Sequence, residues 1–310
     1  MLLVSFVADF YLPSRVSVSE DWAKNIFAVV RRFSQGLGRA AQITDLNTPQ
    51  ISNYLTAYAK IWSPRSTNDQ RQILIMLWRS ARKMRKQTGI SISRPQPDLI
   101  RVVPEEYDPP EAWTFMQMER LIAEAERQLG MVGNVPASLF WPSLFSAEYW
   151  TACRIGAMIS TPSKDYITGK GVTVRKQKNR QPKWYPLPQS CCELINATKP
   201  HEREMLFDWP HCRRNLFTAA RKIIEAAGLP APKEKGRQLF HRIRRTTITL
   251  CATVDPAIAQ QQADHKDYKT TLKHYIDPSM IHIPSAADVL PDPSAPNEDD
   301  NNSPRLRIFR

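Results

Sequence analysis

The sequence predicts a mainly α protein with a small antiparallel β-sheet, divided into two domains. Three observations lead there. Apolar side chains recur at helical spacing along most of the 310 residues. The stretch 166–188 switches to short β-prone runs separated by charged and turn residues. A proline-rich segment parts two helical regions, and the length suits about two domains. The composition, 42% hydrophobic and 24% charged, is that of a soluble globular protein. No apolar run approaches the ~18 residues of a membrane span, so no membrane partner is expected.

Residues 1–90 read as a helical domain. The opening MLLVSFVADFYL lacks a basic n-region and meets Asp9 early, which argues against a secretory signal. Ser17-x-x-Glu20 is a capping box, after which Trp22, Ile26, Val29, Val30 and Phe33 keep helical spacing. GLGRAA at 36–41 has no strand before it and reads as a helix end, not as a dinucleotide loop. Thr48-Pro49 predicts an N-cap with proline in the first turn, followed by the apolar face Ile51, Tyr54, Leu55, Tyr58, Trp62. A third long helix spans about 67–88 and stops at Gly89.

Residues 91–112 read as a linker, because Pro95, Pro97, Pro104, Pro109 and Pro110 cannot sit inside helices. Residues 113–280 form the second domain. Thr114-x-x-Gln117 is a capping box, and a further helix covers about 138–153. ITGKGVTVRK and KWYPLP predict the small sheet. Helical spacing returns at about 212–227, 242–253 and 256–263. Residues 281–310 form a C-terminal segment that turns poor in apolar side chains after Pro284 and predicts a disordered tail.

Charge narrows the function. Lys and Arg number 43 against 30 Asp and Glu, a net charge of +13, which points to a polyanionic partner, most often nucleic acid. The excess is clustered. One group lies on the third helix, with Arg65, Arg71, Arg79, Arg82 and Lys83. A second surrounds the sheet, with Lys176, Lys178 and Arg180. A third holds Arg237, Arg242, Arg244 and Arg245. The candidate duplex contacts are Arg65, Arg71, Arg79, Arg82, Lys83, Lys176, Arg180, Arg237 and Arg245. The five cysteines include the adjacent pair Cys191-Cys192 and no C-x-x-C, so neither a zinc site nor a disulfide framework is expected. A reducing, cytoplasmic setting fits, with no metal and no cofactor; no Walker motif is present.

Five stretches of the second domain hold polar residues out of keeping with their surroundings. TACRIGAMIS puts Arg154 in a small, apolar, helical setting, where it must snorkel or meet an anion. VRKQKNRQPKWYPLP carries Lys176 and Lys178. LFHRIRRTT sets His241 and Arg244 three apart, on one helix face. ADHKDYKTT carries His265, and LKHYID carries Tyr275. Each alone has a structural explanation. The ordered set Arg, Lys, His-x-x-Arg, His, Tyr is what carries meaning.

These residues resemble the boxes of the tyrosine recombinase (phage integrase) family. TACRIGAMIS is similar to the box T-G-L-R-x-x-E-L, FHRIRRTT to H-x-L-R-[HR]-T, and DHKDYKTTLKHYI to G-H-x-x-x-x-T-T-…-Y. The resemblance implies a core-binding (SAM-like) helical domain at 1–90 and an α+β catalytic domain at 113–280, forming a clamp on double-stranded DNA. It implies Arg154, Lys178, His241, Arg244, His265 and the nucleophile Tyr275 as catalytic residues, with Lys176 as the alternative lysine. The reaction would be strand cleavage and rejoining through a 3′-phosphotyrosine, by a homodimer on each site and a homotetramer in the synapse, in DNA integration by a mobile element. Departures are plain. The first box differs at Ala152, Cys153 and Ile155, and Ala157 stands where it has an acid. Asp264 replaces the glycine of the last box, and His265 and Tyr275 lie one residue further apart than is commonest.

The residue types suit that chemistry on physical grounds. Displacement at a phosphodiester builds charge on nonbridging oxygens, which two guanidiniums clamp with strong forked hydrogen bonds. A phenol among cations can serve as a covalent nucleophile. A lysine depressed by neighbouring arginines could protonate the leaving 5′-oxygen. Three rival readings compete: a non-catalytic DNA-binding protein on the same fold, a type IB topoisomerase-like relaxing enzyme and, more remotely, a metal-dependent nuclease. Tyr268 is a rival nucleophile.

Overall fold

The computed structural model describes residues 1–107, 109–175, 181–230 and 238–281. The chain divides into two compact units, Met1–Tyr107 and Asp108–Arg310. The mainly α fold with a small antiparallel sheet expected from the sequence is the one found. Among the described residues no helix is long and apolar enough to cross a membrane.

The first unit is all helical. Helix α1 (Leu3–Phe6) runs into a π-helical turn, Val7–Tyr11, whose Leu3, Phe6, Val7 and Tyr11 enter the core. Helix α2 (Glu20–Gly36) starts two residues later than the Ser17 box predicts. Ser19 is its N-cap, with Oγ accepting from the Trp22 N–H, because this places Glu20 and Asp21 in the positive first turn. It ends at Gly36, the helix end read from GLGRAA. Helix α3 (Thr48–Ala59) is capped by Asn47 instead of Thr48. Helix α4 (Pro64–Lys83) is capped by Ser63 and followed by α5 (Arg85–Thr88), which Gly89 closes in the left-handed region. Ile26, Val29 and Phe33 of α2 meet Tyr54 and Leu55 of α3 and Leu74, Leu77 and Trp78 of α4 in one core.

The segment read as a linker packs, in its first part, onto this core. Ile92 and Ile100 are buried there. Basic side chains of α4 hold its main chain: Arg71 donates Nε to Ile100 O (2.9 Å) and Nη2 to Pro97 O (2.7 Å), and Arg82 donates Nη1 to Ile92 O (2.7 Å). Asn68 adds hydrogen bonds in both directions with Val103. The guanidiniums thus satisfy main-chain carbonyls that this irregular stretch leaves without helical partners.

Near the start of the second unit, the N–H groups of Ala112 and Trp113 donate to Asp277 Oδ2 and Thr246 Oγ1. Helix α6 (Phe115–Glu126) opens with the Thr114–Gln117 capping box, both halves formed. A hairpin of two-residue strands, β1 (Met131–Val132) and β2 (Val135–Pro136), follows; its Gly133-Asn134 turn gives no sequence signal because the strands are too short to show alternation. Helix α7 (Ala137–Thr151) is buried on nearly every face. The short α8 (Ile155–Met158) comes next, then a three-stranded antiparallel sheet of β3 (Tyr166–Ile167), β4 (Gly171–Val174) and β5 (Lys183–Pro186). Gly171 is required there, since a Cβ would stand 2.2 Å from Tyr185 O. Helices α9 (Gln189–Ala197), α10 (Arg213–Ala226), α11 (Gln238–Val254), α12 (Pro256–Ala263) and α13 (Tyr268–Tyr275) complete the unit. The main core joins α6, α7, the sheet, α9, α10 and the start of α11. A small second core of Ala152, Ile248, Ala252, Ala259, Ala263 and Ile276 lies among the elements that carry the polar boxes.

Candidate active site

Where the chain leaves α7, Ala152 is left-handed (φ 49°) and Arg154 follows in extended conformation as the N-cap of α8. Arg154 is therefore at a break between helices, not within one. It is half-buried, and its carbonyl is held by the N–H groups of Ala157 and Met158. Among the described residues three non-glycines are left-handed, and two of them, Ala152 and Asp264 (φ 54°), are the positions where this chain departs from the box glycines. That conformation is one glycine adopts without steric cost.

Arg244, on α11, gathers the boxes. Its guanidinium is almost wholly buried, 2% exposed. Nη1 donates to Ala152 O, at the corner before Arg154, and Nη2 donates to Ala263 O (2.7 Å), two residues before His265. Its Cζ lies 4.9 Å from the centre of the Tyr275 ring. One helical turn earlier, the His241 ring stands edge-on to Tyr275 at 6.3 Å, and the His265 ring lies 4.7 Å from the same phenol. His265 Nδ1 pairs with Thr271 Oγ1 at 3.0 Å, which fixes the ring. Thr249 of α11 anchors the end of α13, donating Oγ1 to Tyr275 O (3.1 Å) and accepting from Asp277 N (3.0 Å). His241, Arg244, His265 and Tyr275 are thus brought together.

Arg154 belongs to the same electrostatic group. Burial, and then the charges of Arg244, Arg245 and Arg154, push the His241 imidazole down to about 4. At neutral pH it is an uncharged base next to the phenol. The unfolded chain binds this proton near the ordinary value of 6.5, well before the folded chain does. Stability from this group is therefore complete above that pH and is lost as pH falls toward 4, by about 3 kcal/mol. His241→Gln is expected to remove that loss: the gap in urea midpoint between variant and wild type should move in the variant's favour from pH 7.5 to pH 4.5.

Tyr268 lies two turns before Tyr275 on α13. Burial raises its phenol, the wrong direction for a nucleophile, and it packs on the small core.

Lys176, Lys178, Arg180 and Arg237 lie outside the described residues. The sheet nevertheless brings a lysine to this neighbourhood that sequence reasoning missed. Lys183 of β5 donates Nζ to Gln261 O (2.6 Å) and sits 4.8 Å from the centre of the Tyr185 ring. Burial pushes its ammonium down, with Asp264, Cys153 and Arg244 in its field. Its period-two relation to buried Tyr185 was the available signal. Other members of the basic clusters have structural partners. Arg175 makes a forked pair with Asp165 (2.7 and 2.9 Å). Arg242 is buried on Glu111, Pro230 O and the Trp113 ring. In the first unit Arg65, Arg79 and Lys83 are exposed, whereas Arg71 and Arg82 are half-buried on the carbonyls described above. Arg245 is half-buried.

No protein-family model matches the chain, and no curated protein matches it. Solved structures do. A lambda integrase dimer bound to a COC' core site aligns with TM-score 0.69 at 18% identity, covering 90% of this chain and 96% of that one. The Tn1549 transposon integrase in complex with transposon right end DNA aligns with TM-score 0.68 at 12% identity, covering 93% and 97%. A lambda integrase tetramer bound to a Holliday junction aligns with TM-score 0.65 at 17% identity, covering 87% and 77%. At such identities the likeness is one of fold.

Proposed function

We propose that this chain, which has the tyrosine recombinase fold, is a site-specific DNA recombinase that cuts and rejoins strands through a 3′-phosphotyrosine at Tyr275. The observation that carries the reading is the packing of Tyr275 against His265, His241 and the Arg244 guanidinium, with Arg154 in the same field. In this reading Arg154 and Arg244 clamp the nonbridging oxygens, and the staples on Arg244 leave it further N–H groups for that purpose. Neutral His241 accepts or relays the phenol proton. His265, fixed by Thr271, donates to a phosphate oxygen. Lys178 protonates the leaving 5′-oxygen. Attack by the phenol conserves the bond energy in the phosphotyrosine, and the partner strand's 5′-hydroxyl reverses it, so neither metal nor ATP is consumed. A homodimer would occupy each site and a homotetramer the synapse.

The exposed cations of the first unit, Arg65, Arg79 and Lys83, would contact duplex phosphates. Arg79→Ala is expected to leave melting unchanged and lower the salt slope of binding by about one. Arg71→Ala instead removes two charged hydrogen bonds to the 97–100 segment and should destabilise by about 1.5–3 kcal/mol, read by urea titration of the full chain.

The test is a nicked duplex carrying the recombination site, on which cleavage cannot be reversed. The reading predicts an SDS-stable protein–DNA adduct, formed equally with and without EDTA. Salt-sensitive binding with no adduct on any such duplex would favour the non-catalytic reading, which the missing acid at Ala157 motivates. Relaxation of plasmid without sequence preference would favour the topoisomerase-like one.

A further inference from the structure

The first box lacks an acid at Ala157, yet a carboxyl reaches the same neighbourhood from the helix before it. Glu148, in the last turn of α7, is 0% exposed, and neither of its carboxyl oxygens has a hydrogen-bond partner among the described residues. Nε of Arg244 is likewise buried and unpartnered. The two orphans are joined through one residue: the Ala152 N–H donates to Glu148 O (2.8 Å), and the Ala152 carbonyl accepts from Arg244 Nη1. Desolvation drives the Glu148 carboxyl well above the usual carboxylate range, and the charge that opposes this is that of Arg244. A buried carboxyl far from any cation would be expensive to retain, and an apolar side chain would serve packing better.

We propose that Glu148 is a positioning residue: a turn of its side chain lets the orphaned carboxyl accept from the orphaned Arg244 Nε and take over, from α7, the work of the acid that the first box lacks. The proposal rests on the reading of Arg244 as a phosphate clamp. A guanidinium has five N–H groups. Ala152 O and Ala263 O take one each from Nη1 and Nη2, and Glu148 takes Nε–H, so that one N–H on each Nη stays aimed at the phosphate. The two carbonyls are neutral. Glu148 thereby fixes the plane of the Arg244 guanidinium before a phosphate arrives.

Four proteins test this: wild type, Glu148→Leu, Glu148→Gln and the double variant Glu148→Leu/Ala157→Glu. Single-turnover cleavage of the nicked duplex, duplex affinity and melting are read on each. Glu148→Leu is expected to melt lower than wild type, since it leaves Arg244 Nε buried without an acceptor, and to bind duplex normally, yet to cleave about 10–100-fold more slowly. Restoring an acid at position 157 should recover most of that loss. A leucine variant that cleaves at the wild-type rate overturns the proposal. Should that variant not fold, Glu148→Gln decides: the pH–rate profile must lose the inflection of this carboxyl, and an unchanged profile overturns the proposal. A second readout needs no cleavage. The Arg244 Nε–H resonance, assigned by its loss in Arg244→Lys, should shift in Glu148→Gln without DNA. An unmoved resonance refutes the pairing even if wild type forms no adduct, an outcome that would separately refute the recombinase reading.

Discussion

Tyr275→Phe is expected to form no covalent adduct on the nicked duplex while binding that duplex as tightly as wild type. The substitution removes one oxygen and leaves the ring. The contacts of that ring with His265 at 4.7 Å, His241 at 6.3 Å and Arg244 at 4.9 Å persist. The main-chain anchor from Thr249 persists too, since it uses the Tyr275 carbonyl. Folding and melting should therefore be unchanged. Because a phosphotyrosine needs the missing Oη, the loss is complete rather than partial. Tyr268→Phe, two turns earlier, should retain the adduct. An adduct that survives in Tyr275→Phe would remove Tyr275 from the mechanism.

Arg244→Lys should be the second largest effect. Lysine keeps the charge but not the planar fork, and an ammonium cannot reach Ala152 O, Ala263 O and a phosphate together. Cleavage is expected to fall by about 10²–10³-fold, the cost of losing one donor to a developing oxyanion. Arg244→Ala should go further. It strands two carbonyls and the buried Glu148, and breaking such a buried arrangement costs about 3–5 kcal/mol. Denaturant titration separates the two variants: the lysine protein should lose mostly rate, the alanine protein both rate and stability. Equal cleavage by Arg244→Lys and wild type would contradict the clamp.

What the sequence disclosed was local or ordered along the chain. Thr114 and Gln117 announced a helix start because a capping box is complete within four residues. The His241–Arg244 pair was legible because helical spacing alone puts both on one face of α11. The remainder depended on contacts between distant residues. Nothing local distinguishes Arg71, held on Ile100 and Pro97 carbonyls, from Arg79, which is exposed; both are simply basic positions on α4. Proline marked 91–112 as irregular, yet irregular chain can still pack, as Ile92 and Ile100 do. Glu148 was passed over because an acid in a helix ordinarily faces water, and only the burial of α7 on nearly every face shows otherwise. The left-handed turns at Ala152 and Asp264 were hidden because their residues give no glycine signal. Lys183 opens KWYPLP, legible as a strand, but only the pairing of β5 sets the direction of its side chain.

In the proposed mechanism Tyr275 forms the bond to phosphorus. Its most direct measurement is to trap the adduct, digest protein and DNA, and locate the phosphorylated residue by mass spectrometry. A single nucleotide-bearing tyrosine is expected, in the peptide containing His274-Tyr275-Ile276. A nucleotide on Tyr268, or on a serine or histidine anywhere in the chain, would contradict it.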